Sequence, residues 1–188
     1  DPARREWRAH DELGEVCALR AVEHGVRGVV REPGRLCGVG GPGPGRARRG
    51  GVVVVTGRPL IPGQASGPLL RLDHPISFWG GVDPVAGTIV DPRHPNYGQS
   101  IAGTVLAIPA AVGSSSSSAI MLELVREGNA PAAILMGKAD AILSLGVVVG
   151  RELGYASVPM FEVSVEDQRG LTVGAMVSVT EDGTVTQA

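Results

Sequence analysis

The stretch from Thr104 to Glu127 restricts the fold more than any other. An apolar run, Thr104 to Pro109, leads into Gly113-Ser114-Ser115-Ser116-Ser117-Ser118. Beyond it Ile120, Leu124 and Val125 recur at three- and four-residue spacing, with Glu123, Arg126 and Glu127 on the opposite face. A short apolar run closed by turn residues reads as a strand, and the helical period as an amphipathic helix packed on a core. Serine tracts alone have linker composition, but this one lies between a strand and a helix and has nothing to span. Serine is favoured at helix starts because its hydroxyl accepts an unpaired N–H of the first turn. There the free N–H groups and the positive end of the dipole favour an anion, or an alkoxide forming on one of the serines.

The rest of the chain fits around this unit. Val52 to Thr56 is a continuous apolar run that predicts a buried strand, and Pro62-Gly63 turns into a second strand at Gly67 to Leu72. Asp73 to Ile101 has little periodicity and carries Gly80-Gly81, Asp83-Pro84, Asp91-Pro92 and His94-Pro95, as expected of a functional or interface loop. Ala132 to Met136 and Val158 to Val163 predict strands, and Asp140 caps a helix over Ala141 to Leu153. Asp182-Gly183 between alternating valines predicts a two-residue hairpin joining Ala175–Thr180 to Thr184–Thr186. Aromatics are only 3% of the chain against 28 Gly and 14 Pro, so the core is aliphatic and tightly turned. The expected fold is a mixed α/β barrel with two main helices.

Residues 1–50 differ in composition: they hold 10 of the 17 basic residues and end in a Gly/Pro/Arg tract that buries too little apolar surface to order itself. Helical spacing covers Glu12 to His24, but this segment is expected to be extraneous to a folded domain at 51–188. The net charge of −2, with no basic face interleaved with aromatics, argues against nucleic acid. No apolar stretch suffices to cross a bilayer and no signal sequence opens the chain, so a cytoplasmic location is expected. Cys17 and Cys37 are too few and too far apart for a zinc or iron–sulfur pattern, so no metal is expected on this chain.

A serine hydroxyl needs a partner base or a prepared anion site before it reacts. Lys138 is the only lysine, and His74 and His94 are the only histidines beyond residue 50. No G-x-S-x-G elbow is present, which argues against a Ser-His-Asp hydrolase. Asp83, Asp91 and His94 have hard-metal chemistry, but Asp-Pro pairs more often start turns.

Four motifs then stand out in order: Ile76-Ser77-Phe78-Trp79-Gly80-Gly81-Val82-Asp83-Pro84, Asp91-Pro92-Arg93-His94-Pro95-Asn96-Tyr97-Gly98, Gly113-Ser114-Ser115-Ser116, and Ala130-Pro131-Ala132-Ala133-Ile134. With this spacing the chain, from about Val52 to Val163, closely resembles the small, swivel-domain subunit of the aconitase X family. The resemblance implies a swivelling β/β/α barrel that closes over a large catalytic subunit, or over a large domain in fused versions. It implies a hydro-lyase acting on 5-phosphomevalonate or on cis-3-hydroxy-L-proline. It also implies an iron or iron–sulfur centre held by cysteines of the large part. By the family's motif the first serine after the glycine, Ser114, is the general base, and Gly113, Ser115 and Ser116 offer groups to the substrate's anionic end. The chain departs from its relatives at Ser116 and Ser117, where they carry Thr and Gly.

Two other classes compete. Gly57 to Gly67 and the serine turn also resemble phosphohistidine swivel domains, but a phosphoryl carrier needs a histidine in that turn, which holds only serines. A non-catalytic interaction module would use the Asp73–Ile101 loop, with Phe78 and Trp79 either gripping a partner or plugging the barrel end.

Overall fold

The computed structural model describes residues 51–187. Among them the elements run β1 (Val53–Thr56), β2 (Arg58–Ile61), β3 (Ala65–Arg71), β4 (Val82–Asp83), β5 (Thr88–Ile89), β6 (Val105–Ile108), α1 (Ser117–Glu127), β7 (Ala133–Met136), α2 (Ala141–Glu152), β8 (Met160–Glu162), α3 (Val165–Gly170), β9 (Met176–Val179) and β10 (Thr184–Gln187). The helix expected over Glu12 to His24 and the character of residues 1–50 lie outside the described residues. No helix among those described is long and apolar enough to cross a membrane.

Eight strands follow the order β1-β10-β9-β3-β6-β7-β8-β2. The first half of β3 pairs antiparallel with β9 and its second half parallel with β6. Likewise β1 pairs with β10 while β2, one residue later, pairs with β8. The two ends of the strand order are thus joined through Gly57, whose N–H donates to the Gly183 carbonyl at 2.8 Å. The sheet closes into a flattened barrel with one mainly parallel wall and one antiparallel wall.

Alternation along the parallel wall builds two cores. Val105 and Ala107 of β6 and Ala133 and Leu135 of β7 face inward to Phe161, Val177, Val179 and Val185. Leu106, Ile108, Ile134 and Met136 face outward to Met121, Leu124 and Val125 of α1 and to Leu143 and Val147 of α2. Burial on both sides explains why β6 and β7 read as unbroken apolar runs. The result is the expected β/β/α barrel, with α3 as a short third helix. The buried Gln168 side chain of α3 donates from Nε2 to Val163 O (2.9 Å), Ile108 O (3.3 Å) and Leu135 O (3.4 Å), satisfying carbonyls where the parallel strands end. Glu162 of β8 is bound by Arg58 Nε at 2.9 Å and by the Ala139 N–H at 3.1 Å. The Arg58 bond, followed by that N–H, holds its carboxyl below the usual value of 4.5.

Three sequence expectations need correction. The Val52 to Thr56 run forms a strand over Val53–Thr56 but not a buried one: Val52 and Val54 are 63% and 60% exposed, because β1 lies at the barrel seam with a single neighbour, β10. The β9–β10 hairpin has a three-residue loop, Glu181-Asp182-Gly183, closed by Thr180 and Thr184. Gly183 supplies φ 88°, the left-handed residue of the bulged three-residue loop. Asp73 to Ile101 contains the β4–β5 ladder, with Val82 opposite Ile89. Elsewhere Asp140 caps α2 as expected, its carboxylate accepting the Leu143 N–H at 2.8 Å.

Candidate functional site

The parallel strands β6 and β7 end at the same edge of the barrel, and the loops leaving that edge carry the chemistry-bearing residues. The β6 loop runs through Gly113 to Ser116 into α1, and the β7 loop carries Lys138, which is exposed. Beside the first, residues 72–76 run parallel to residues 107–112: Leu72 N donates to Ala107 O (2.8 Å), Ile76 N to Ala110 O (3.2 Å) and Val112 N to Ile76 O (3.0 Å). This pairing places Ser77 against Gly113. Gly113 has φ 104°, which favours glycine, and a Cβ there would sit 2.7 Å from Ser77 Oγ and displace that hydroxyl. Ser77 Oγ is itself fixed, donating to Trp79 O at 2.9 Å.

The serine turn is also clamped from the helix side. Among the residues buried along α2 is Gly146, where a Cβ would collide with the Ser118 carbonyl oxygen and approach Met121 Cβ to 2.8 Å. The α2 backbone therefore lies directly on the first turn of α1. Gly146 is the small residue that permits the approach.

Within the turn the serines play different parts. Ser114 is exposed; its Oγ accepts the Ser116 N–H at 3.2 Å and shares a 3.3 Å hydrogen bond with Ser116 Oγ. Ser116 occupies the cap position with helical dihedrals (φ −66°, ψ −9°) and makes no side-chain cap bond. The capping function expected of a serine is displaced upstream, since Ser117 N donates to Ser114 O (3.0 Å) and Ser118 N to Ser115 O (3.3 Å). The Ser117 hydroxyl is buried without a hydrogen-bond partner among the described residues. The N–H groups of Gly113, Ser114 and Ser115 find no acceptor among those residues, and all three residues are exposed. These three successive N–H groups lie just before the N-cap of α1, where an unpaired donor near the positive end of the helix is open to an anion. An alkoxide on Ser114 would in addition keep the Ser116 N–H bond it already has.

The other sequence candidates separate from this turn. Asp83 accepts the Val85 and Ala86 N–H groups at 2.8 and 3.3 Å, as a turn starter does. Asp91 is held by Arg93, through its backbone N–H (3.0 Å), Nε (3.0 Å) and Nη2 (3.1 Å), and the Arg93 side chain is the main cause that lowers its pKa. His94 is buried, with Nδ1 accepting the Asn96 N–H at 3.1 Å, and it lines a cleft of about 360 Å³ with His74, Asp91 and Arg93. Among the described residues no group of three His, Cys, Asp or Glu stands together as metal ligands. Phe78 and Trp79 part company: Phe78 is fully buried and plugs the core, whereas Trp79 is 55% exposed. Sequence reasoning missed Ser77, whose role depends on the 72–76 to 107–112 pairing and leaves no local pattern.

Comparison with known proteins agrees with this architecture. The sequence profile of the aconitase X swivel domain matches residues 54–187. The chain is 40% identical over 129 residues to the cis-3-hydroxy-L-proline dehydratase of Hypocrea jecorina, covering 69% of this chain but 22% of that protein. It is 37% identical over 119 residues to the phosphomevalonate dehydratase small subunit of Methanothermobacter thermautotrophicus, covering 63% of this chain and 86% of the relative. The crystal structure of Thermococcus kodakaraensis aconitase X in its holo form superposes with a TM-score of 0.65 at 33% identity, covering 72% of this chain and 98% of that one.

Proposed function

The chain belongs to the aconitase X swivel-domain family, and from that premise we propose that it is the small subunit of a hydro-lyase, bringing Ser114 as general base to a substrate held by a large catalytic subunit. The substrate is a small hydroxy acid of the kind named in its relatives, 5-phosphomevalonate or cis-3-hydroxy-L-proline. The sequence resemblance implies an iron or iron–sulfur centre held by cysteines of the large subunit. The part of this chain is confined to the anion and the proton.

In dehydration a C–H bond breaks and its electrons form the new double bond while the hydroxyl leaves the neighbouring carbon as hydroxide, which the metal centre of the large subunit, when bound, would accept as a Lewis acid. Ser114, as its alkoxide, takes the proton and becomes the neutral hydroxyl. A serine alkoxide is high in energy in water, but three features favour it here: the Ser116 N–H on its oxygen, the positive end of α1, and exclusion of water when the large subunit closes over the turn. Gly113, Ser115 and Ser116 bind the substrate's anionic end, the first two through the free N–H groups and Ser116 through its hydroxyl. The observation that carries the reading is this row of unpaired N–H groups beside an exposed, hydrogen-bonded Ser114, clamped by Ser77 on one side and α2 on the other. The open position of the turn supports a site completed by a second protein.

The test is to purify this chain with its cognate large subunit and follow loss of water from both substrates. One of them is consumed only when both chains are present. Turnover by the small chain alone, or none of either substrate by the assembled pair, would refute the proposal.

A further inference from the structure

Trp79 has no part in the chemistry above. The whole chain contains only two Trp, two Tyr and two Phe, and Trp79 is 55% exposed while its neighbour Phe78 is fully buried. The backbone beneath it is fixed at several points. Ser77 Oγ donates to the Trp79 carbonyl at 2.9 Å, Val82 N to Phe78 O at 3.2 Å, and Val90 N to Gly81 O at 2.9 Å. The indole itself makes no hydrogen bond among the described residues. The same contacts draw in two further exposed apolar residues, Val90 (39%) and Val112 (49%), the latter through its N–H to Ile76 O at 3.0 Å. Ser77 joins this rim to the serine turn, since it bonds Trp79 and abuts Gly113. A large aromatic left half-exposed on an ordered backbone, with other exposed apolar residues on the segments hydrogen-bonded to it, is the kind of residue that anchors protein interfaces.

We propose that Trp79 is the anchor that seats this domain on the large subunit, its indole entering an apolar pocket of that chain with Val90 and Val112 closing the rim. The inference rests on the small-subunit reading in that it takes the large subunit as the occupant. A protein seated on Trp79 stands beside the serine turn, because Ser77 bonds the Trp79 carbonyl and abuts Gly113. A second copy of the chain would therefore crowd the site, whereas the large subunit is the one protein that must reach it. The same domain is 22% of one relative and 86% of another, so it meets a larger remainder whether or not the two are covalently joined. Because Ser77 links Trp79 to Gly113, seating the indole and aligning Ser114 become one event.

The test uses the Trp7→Phe chain with fluorotryptophan incorporated, so that fluorine NMR reports Trp79 alone when unlabelled large subunit is added. The Trp79 resonance is expected to shift and to lose its solvent isotope effect. Trp79→Ala should weaken association about thirty-fold or more, and Trp79→Phe should recover part of that loss. Met176→Ser, on the exposed face of β9 in the antiparallel wall, should leave association unchanged. A Trp79 signal that stays solvent-exposed in the complex, wild-type affinity in Trp79→Ala, or an equal loss in Met176→Ser overturns the assignment of the anchor while the small-subunit reading survives. Failure of the unmodified chain to bind the large subunit at all overturns both.

Discussion

Gly113→Ala examines whether the serine turn is held by its backbone or merely rests where it is found. Gly113 has φ 104°, and a side chain in the left-handed half of the map costs about 1–2 kcal/mol. The new Cβ would lie 2.7 Å from Ser77 Oγ and 3.4 Å from Ser77 Cβ. The hydroxyl must therefore move and give up its 2.9 Å bond to Trp79 O, a loss of about 0.5–1.5 kcal/mol. The sum is about 1.5–3.5 kcal/mol of stability. A double-mutant cycle separates the two contributions. In a Ser77→Ala background the nearest atom is the Cβ at 3.4 Å, an ordinary contact, so Gly113→Ala should cost only the backbone share, with a coupling of about 1 kcal/mol. Urea denaturation of the four proteins, with unchanged m values, reads both quantities. A cost below about 0.5 kcal/mol for Gly113→Ala would refute the backbone estimate. Equal costs in the two backgrounds would refute the contact with Ser77.

Gln168→Leu should lower the urea stability by about 1–3 kcal/mol, because it removes the donor to Val163 O and leaves that strand-end carbonyl poorer by one partner; a change within about 0.5 kcal/mol would show that the side chain is dispensable. Glu162 is held below its usual value of 4.5 by Arg58 and then by the Ala139 N–H. A depressed folded pKa means that its stabilisation is complete above the unfolded carboxylate value and is lost as pH falls through the folded one. Glu162→Gln should therefore flatten the acid limb of the stability profile measured by denaturation between pH 5 and pH 3, and an unchanged limb would count against the pairing.

What the sequence shows plainly is whatever its neighbours in the chain determine. Asp140 caps α2 because the acceptor and the Leu143 N–H are three residues apart, and β6 and β7 read as buried because their apolar residues are unbroken. Val52 to Val54 has the same apolar character yet lies exposed, since burial there depends on β1 taking the barrel seam, a consequence of pairings with β10 far along the chain. The helix α3 left no apolar stripe, only one buried residue, Gln168, and that is polar. The serine turn was legible as a helix start, but the division of labour within it was not: Ser116 takes helical dihedrals and Ser114 receives the N–H bond. Ser77 was illegible for the same reason as the seam. Its place beside Gly113 follows from the parallel bridge between Ile76 and Ala111, 35 positions apart in sequence.

The account depends most on Ser114, and the turnover of a complex reconstituted with Ser114→Ala tests it most directly. Ser114 is exposed, so the substitution should leave folding and association with the large subunit unchanged. Loss of a general base should then reduce kcat by about 10²–10⁴-fold with little change in KM. A Ser114→Ala complex that assembles normally and dehydrates its substrate at the wild-type rate would contradict the account at its centre.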